Sequence, residues 1–184
     1  MNQQHLNPPK AAAKKQGGFT LIELSIVLAI IIIVILAGLS LAPMLMRGTR
    51  VQSETHNVGM LMSQVRNTYQ GRYANLTTAK VLQYNLAPSN LVNGNALAGN
   101  WGSITLVPGA LTGAVANTAM QVTLVNIPQP DCIQLAPALA GTADELDVGG
   151  NANLKSANNP NPAKDTITDA CGNAGAVNIV LRAM

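Results

Sequence analysis

This sequence contains little charge, few aromatic residues and almost no cysteine. Of its 184 residues, only 10% are Asp, Glu, Lys or Arg, and only 3% are Phe, Trp or Tyr. A surface that binds nucleic acid needs clustered Lys and Arg to neutralise phosphates, and this composition argues against one. Because the apolar residues are mostly small and aliphatic, any globular core is expected to be modest.

Sequence motifs for catalysis and metal binding are missing too. The chain contains no GxSxG, HExxH, GxGxxG or P-loop pattern, and its two cysteines are not in CxxC or Cys/His spacing. His56 is expected to be an exposed helix residue. One group of acidic residues consists of Asp144, Glu145 and Asp147 with Asp165 or Asp169. These carboxylates could bind calcium, although a solvated acidic turn is favoured. We therefore expect neither an enzyme nor a bound cofactor or metal.

The net charge of +3 comes entirely from the start of the chain. Before Phe19 the charged residues are Lys10, Lys14 and Lys15, whereas eight basic residues balance eight acidic ones from Phe19 onward. An uncharged run of 23 residues extends from Leu24 to Met46. A helix rises about 1.5 Å per residue, so this run can cross a hydrocarbon core of about 30 Å. Because the lysines precede the run, the positive-inside rule places the N-terminus in the cytoplasm and the remainder outside it.

An ordinary secretory signal is the alternative interpretation of this run. Ser40-Leu41-Ala42 imitates the small-residue cleavage site of such a signal. However, Pro43 follows immediately, and the apolar region would be unusually long. A retained membrane helix is therefore favoured.

Glu23 is a single acid at the head of the apolar run. A charged acid costs roughly 2.5–3.5 kcal/mol at the centre of a membrane helix and less towards an interface. A carboxylate at this position therefore indicates a specific task.

The residues around Glu23 carry a family resemblance. The stretch from Gly17 to Leu24, GGFTLIEL, resembles the prepilin peptidase site of type IV pilins: a short basic leader, a glycine, Phe and a Glu at the fifth mature position. The resemblance implies that residues 1–18 are a leader, that the chain is cut between Gly18 and Phe19, and that Phe19 is N-methylated.

Cleavage would create a new amine on Phe19, which offers Glu23 a partner. In a bundle of helices, the amine of one subunit can pair with Glu23 of a neighbour, because opposite charges attract strongly in apolar surroundings once they are desolvated. Such a pair would set the axial register between subunits. Self-pairing is the alternative, since Phe19 and Glu23 are one helical turn apart and an acid also suits a helix N-terminus.

Beyond the membrane run, the helix is expected to continue. One semi-apolar stripe is formed by residues that are alternately four and three positions apart: Val51, Thr55, Val58, Met62, Val65 and Tyr69. The residues expected to lie largely off this stripe are Arg47, Arg50, Gln52, Glu54, Gln64 and Arg66. Gly71 is a plausible C-cap. The sequence thus predicts one helix over residues 19–71, kinked or loosened near Pro43, Gly48 and Gly59, with a coiled-coil seam as the alternative use of the stripe.

Residues 72–184 are expected to form a globular head. Turn-forming residues separate short strand candidates at Ser103–Val107, Met120–Ile127 and Ala176–Leu181, and short strands joined by loops favour an antiparallel sheet. A short helix is expected over Asp131–Leu139, limited by Pro137. The predicted fold class is therefore α+β, with a long N-terminal helix packed on an antiparallel sheet.

The head extends the family resemblance. The head resembles the type IVb pilins in four stretches: Thr77–Pro88, Trp101-Gly102, Val122–Pro128 and the following Asp131-Cys132-Ile133-Gln134-Leu135. Two features depart from that branch, since Phe19 is a type IVa feature and the leader is intermediate in length. The resemblance implies a disulfide between Cys132 and Cys171, closing a loop of 38 intervening residues. The Gly/Asn/Pro-rich stretch 151–162 is expected to gain little order from hydrophobic burial.

Together these features predict a major subunit of a type IV pilus. The resemblance implies an inner-membrane precursor that becomes part of an extracellular homo-oligomeric filament. Its implied partners are a prepilin peptidase, an assembly motor and a platform membrane protein, with no specific nucleic acid. The alternatives are a minor pilin, a pseudopilin of a secretion system, and a signal-anchored periplasmic binding module.

Overall fold

The structure is a computed structural model that describes residues 20–172 and 175–184, with the backbone alone described at residues 40–45. The proposed cleavage and methylation positions, Gly18 and Phe19, lie outside the described residues. The chain divides into two compact units, residues 1–43 and 44–184. The second half of the long helix therefore belongs to the same unit as the head.

The first helix, α1, spans Leu21–Tyr69. Its secondary structure is unbroken at Pro43, Gly48 and Gly59, the three positions where sequence predicts a kink or loosening. Within the described residues, Leu21–Leu39 is long and apolar enough to cross a membrane, with a mean hydropathy of 3.0 and 0% of the stretch buried. An apolar surface of this extent needs cover from lipid or from other protein.

Residues 44–69 of α1 pack into the head through the predicted stripe. Val58 and Val65 are fully buried, and Leu61, one turn from each, is buried with them. His56 is exposed, as predicted. The helix ends at Tyr69, and Gly71 follows with a φ of +82°, a conformation that glycine adopts without strain.

The head contains one seven-stranded antiparallel sheet. In space the strands run in the order β1-β2-β3-β4-β7-β5-β6. Their bounds are Val92–Asn93 (β1), Ala96–Ala98 (β2), Ser103–Gly109 (β3), Ala119–Pro128 (β4), Glu145–Val148 (β5), Asn151–Lys155 (β6) and Ala176–Ala183 (β7). The three strands expected from the sequence are β3, β4 and β7, which lie side by side at the centre. The other four are short and are added at the two sides.

A β-bulge in β4 explains an irregular spacing in its sequence. Val122 and Leu124 alternate onto the buried face, but Ile127 is three residues further on instead of two. The pairing of β4 with β7 shifts register between Leu124 and Ile127, and Asn126 has a φ of +67°. The bulge adds one residue, which returns Ile127 to the core, where it is buried.

The described residues of the head also form three short α-helices, α2 at Thr78–Gln83, α3 at Gln129–Leu139 and α4 at Lys164–Ala170. Single 3₁₀ turns lie at Tyr73–Asn75 and Ser89–Leu91. The predicted helix at Asp131–Leu139 is confirmed as α3 and begins two residues earlier. Pro130 lies in its first turn, where a missing N–H removes no helical hydrogen bond.

The core lies on one face of the sheet. Val122 and Leu124 of β4 and Ile179 and Leu181 of β7 are buried there in one cluster with the buried side chains of α1 and α3. The α+β class predicted from the sequence is confirmed. The first five residues of the stretch 151–162 form β6, whose residues are exposed or half-buried and which pairs through its backbone with β5.

Candidate functional site

Glu23 lies in the first turn of α1 and forms a capping box with Thr20. The backbone N–H of Glu23 donates to Thr20 Oγ1 at 3.3 Å, while the backbone N–H and hydroxyl of Thr20 donate to Glu23 Oε2 at 3.4 and 3.3 Å. This reciprocal arrangement satisfies amides that have no partner within the helix. The Thr-x-x-Glu spacing of a capping box is visible in the sequence at these two residues.

Glu23 nevertheless has no cation beside it in the described part of the chain. Its contacts with Thr20 are long and exposed, and such hydrogen bonds contribute little net stability. Around it, Leu21, Ile22 and Leu24 are all exposed. The first turn of α1 therefore presents an available carboxylate on an otherwise apolar helix.

The disulfide joins α3 to the residue that follows α4. Cys132 of α3 and Cys171, the residue after α4, are bonded at 2.03 Å with their Cα atoms 5.9 Å apart. Both side chains are fully buried. This is the pair that the family resemblance implied, and β5, β6 and α4 lie within the loop that it closes.

The predicted acidic group is not a solvated turn, and this expectation is corrected. Glu145 and Asp147 lie on β5, with Glu145 buried. Arg182 of β7 pairs with Glu145 at 3.4 Å and Asp147 at 2.8 Å, while Asp144 accepts from the backbone N–H of Met184. Over residues 20–172 and 175–184, no group of three or more His, Cys, Asp and Glu side chains is arranged to hold a metal ion.

The Arg182 cluster extends across four strands and holds the β3–β4 connection. Arg182 Nε donates to Gln121 Oε1 of β4 at 3.2 Å. The second oxygen of Glu145 accepts from the backbone N–H of Thr112 at 2.6 Å, and Asp147 accepts from the backbone N–H of Asn153 in β6 at 2.7 Å. The role of these charges is to fix strands and a loop.

The burial of Glu54 also differs from the prediction. The residue was expected to lie off the buried stripe, yet it is only 1% exposed. Burial raises the pKa of this carboxyl, although its hydrogen bonds from Asn100 act in the opposite direction. The spacing in the sequence indicates this burial, since Glu54 precedes Val58 by four residues and Leu61 by seven. It therefore shares a helix face with these two buried residues.

A groove of about 670 Å³ on the head lies between the β3–β4 connection, the C-terminus and the segment after β6. Its lysine, Lys155, donates through Nζ to the backbone carbonyl oxygens of Ala140 and Ala143 at 2.6 and 2.7 Å. Its acids, Asp144 and Glu145, are engaged as described above. The charged groups of the groove are thus committed to structural contacts.

Comparisons with known proteins identify two regions of the chain. The PilS family pattern, described as PilS N terminal, matches residues 49–183. The prokaryotic N-terminal methylation motif matches residues 13–39. No curated protein sequence matches the chain significantly.

Solved structures of two pilins share the fold. A type IV b pilin from Salmonella typhi has 17% identity and a TM-score of 0.56, covering 71% of this chain and 97% of that chain. TcpA, a type IV pilin from the Vibrio cholerae El Tor biotype, has 16% identity and a TM-score of 0.55, covering 74% of this chain and 99% of that one. At these identities the likeness establishes a common fold.

Proposed function

Because this chain belongs to the PilS family of type IV pilins, we propose that it is the major subunit of a type IV pilus, most like the type IVb subunits. Type IV pilins are structural proteins and not enzymes, and the family assignment makes this chain a pilus subunit. The methylation motif and the apolar helix fit a precursor in the inner membrane that becomes part of an extracellular pilus.

One observation carries the proposal. The apolar part of α1, Leu21–Leu39, is 0% buried by its own chain, and it coincides with the methylation motif at residues 13–39. A helix with this surface must be covered by lipid before assembly and by other copies of the same helix afterwards. Transfer from lipid to protein removes little apolar surface from water, so packing and charge pairing must supply the specificity.

We further propose that the chain is cut between Gly18 and Phe19, that Phe19 is N-methylated, and that its amine pairs with Glu23 of a neighbouring subunit. Glu23 can change partner at small cost because its bonds to Thr20 are long and solvent-exposed. An ammonium–carboxylate pair gains more in apolar surroundings than these neutral contacts do. Docking would also compensate a carboxylate that is costly to leave unpaired among apolar side chains.

Processing by a prepilin peptidase follows from the methylation motif. The assembly motor and the platform membrane protein are proposed partners, because lipid-to-protein transfer alone provides no direction for assembly. Loops between Cys132 and Cys171 would contribute to the filament surface and so to adhesion, aggregation or cell contact.

The decisive experiment separates the charge of Glu23 from its capping role. Glu23→Gln retains a capping-box residue but cannot pair as an anion, whereas Thr20→Ala removes the cap and retains the charge. We expect both variants to insert into the membrane, with few or no filaments from Glu23→Gln or Glu23→Ala and near-normal filaments from Thr20→Ala. Filament yields from Glu23→Gln equal to those of the unmodified chain would contradict the pairing.

Mass spectrometry of sheared surface filaments tests the remaining choices. The major-subunit proposal expects this chain to be their most abundant protein, with residues 1–18 absent and Phe19 methylated. A trace component would indicate a minor pilin or pseudopilin. A chain that retains its leader and stays in the membrane would indicate a periplasmic binding module.

A further inference from the structure

Two buried polar side chains of α1 hold the segment that carries the β1–β2 hairpin. Asn57 accepts through Oδ1 a hydrogen bond of 3.3 Å from Asn90 Nδ2. Glu54, three residues earlier, accepts through Oε2 from the backbone N–H of Asn100 at 3.1 Å and from its Nδ2 at 2.8 Å. Because Asn90 and Asn100 flank the hairpin, α1 is bonded to both ends of it.

The other oxygen of Glu54 has no hydrogen-bond partner within the described residues. Glu54 Oε1 is buried, and it lies against the Cα of Gly99 so closely that a Cβ at that position would overlap it. A bare carboxylate oxygen in such a place carries the full cost of lost hydration. The neutral carboxylic acid avoids most of this cost.

No cation near Glu54 compensates its charge in the part of the chain that the structure describes. On α1, Arg50 is exposed one turn earlier and forms no ion pair with it, Arg47 is 3.7 Å from Asp131 of α3, and His56 is exposed. The segment 89–109, whose Gly99 and Asn100 contact Glu54, contains no ionisable side chain, and neither does β4. The surroundings therefore favour the neutral form of Glu54.

We propose that Glu54 and Asn100 form a proton-dependent clasp, which holds the hairpin segment on α1 while Glu54 is neutral and loosens when Glu54 ionises. The hairpin residues from Val92 to Ala96 are exposed, so the clasp controls the order of a surface of the head. This inference depends on the head alone and is independent of the role proposed for Glu23.

The direction of the pH effect follows from linkage. Burial raises the pKa of Glu54 above its ordinary value, which is about 4.3 for glutamate. The clasp is therefore most stable below the ordinary value, and its stability is lost as the pH rises through the raised value. Within that interval, each pH unit increases the opening constant of the clasp by up to about tenfold.

Amide hydrogen exchange on the full chain in detergent micelles measures this opening. The backbone N–H of Asn100 is the direct reporter, because it donates to Glu54. Its protection factor, which corrects for the pH dependence of intrinsic exchange, is expected to fall as the pH rises above the ordinary glutamate value, by up to about tenfold per unit until the raised pKa of Glu54 is passed. In Glu54→Gln, which is isosteric with the neutral acid and cannot ionise, the same protection factor should not change with pH.

Asp165→Asn is the matched control, because it removes an exposed carboxylate on α4 and should leave the Asn100 profile unchanged. Equal pH profiles in the unmodified chain and in Glu54→Gln would overturn the proposal. A second measurement needs no variant: the side-chain carboxyl carbon of Glu54, followed by NMR, should titrate above the ordinary glutamate range. Titration at about 4.3 would also overturn it, even if Glu54→Gln failed to fold.

Discussion

Replacing both Cys132 and Cys171 with alanine should destabilise the head by an amount that follows from the loop they close. The two residues are 39 positions apart and fully buried, and the loop contains β5, β6 and α4. In the chain-entropy account, a closed loop of about 40 residues lowers the entropy of the unfolded chain by about 13 cal/mol/K, which is about 4 kcal/mol at 25 °C. Without the bond, the unfolded chain recovers this freedom.

A loss of this size is large for a small domain, whose total stability is typically about 5–15 kcal/mol. At roughly 2–4 °C per kcal/mol, the melting temperature should fall by roughly 8–16 °C. The two single replacements should each cost about as much as the double replacement, because each breaks the same bond. This lack of additivity distinguishes loss of the disulfide from loss of two independent packing contacts.

Denaturant unfolding of the full chain in detergent micelles, followed by Trp101 fluorescence, measures the change. Trp101 is the single tryptophan of the chain and packs against the core, so its signal reports on the head. Intact mass before and after alkylation verifies the bond in the unmodified chain. A loss below about 1 kcal/mol, or single losses that add up to the double one, would refute the loop-entropy reasoning.

Two further predictions concern the polar contacts of the head. Gly99→Ala should displace Glu54 and lower the free energy of unfolding by about 1–3 kcal/mol through overpacking, as measured by denaturant unfolding. An equally large loss in a Glu54→Ala background would show that the clash lies elsewhere. Arg182→Met should leave Glu145 buried without its cation and lower the free energy of unfolding by about 2–4 kcal/mol. This loss is somewhat smaller than for breaking a fully buried ion pair, because Arg182 is partly exposed. Adding Glu145→Gln should recover part of that loss, whereas no recovery would mean that Arg182 acts through packing and not through charge.

Much of the fold was predictable because its longest elements carry strong periodic patterns. The alternation of Val122 and Leu124, and of Val177, Ile179 and Leu181, identified β4 and β7. The 4-3 stripe identified the part of α1 that packs into the head. In each case the pattern reflects a face that the element must bury over several residues.

The elements that were missed are short or polar. β1, β2 and β5 have two to four residues, too few to establish a period. β6 is an exposed edge strand with no apolar alternation, and it exists because β5 offers it a backbone partner. Pairing between strands is a long-range event that a local pattern does not contain.

The functional residues divide along the same line. The basic leader, the Gly-Phe-Thr-Leu-Ile-Glu stretch and the apolar run are contiguous in the chain, so residue order alone was sufficient to indicate a type IV pilin and its membrane helix. Glu23 also has its capping partner only three residues away. Such local features require no knowledge of the fold.

Folding decided which of the few charges are neutralised. Glu145 and Asp147 look like a solvated acidic turn until β7 brings Arg182 beside them, and Glu54 looks like a surface residue until Asn100 and Gly99 close over it. The partners in these contacts are 35 to 46 residues apart in the chain. The protonation and pairing of an acid depend on what surrounds it in space, and for these residues only the packed head brings those surroundings together.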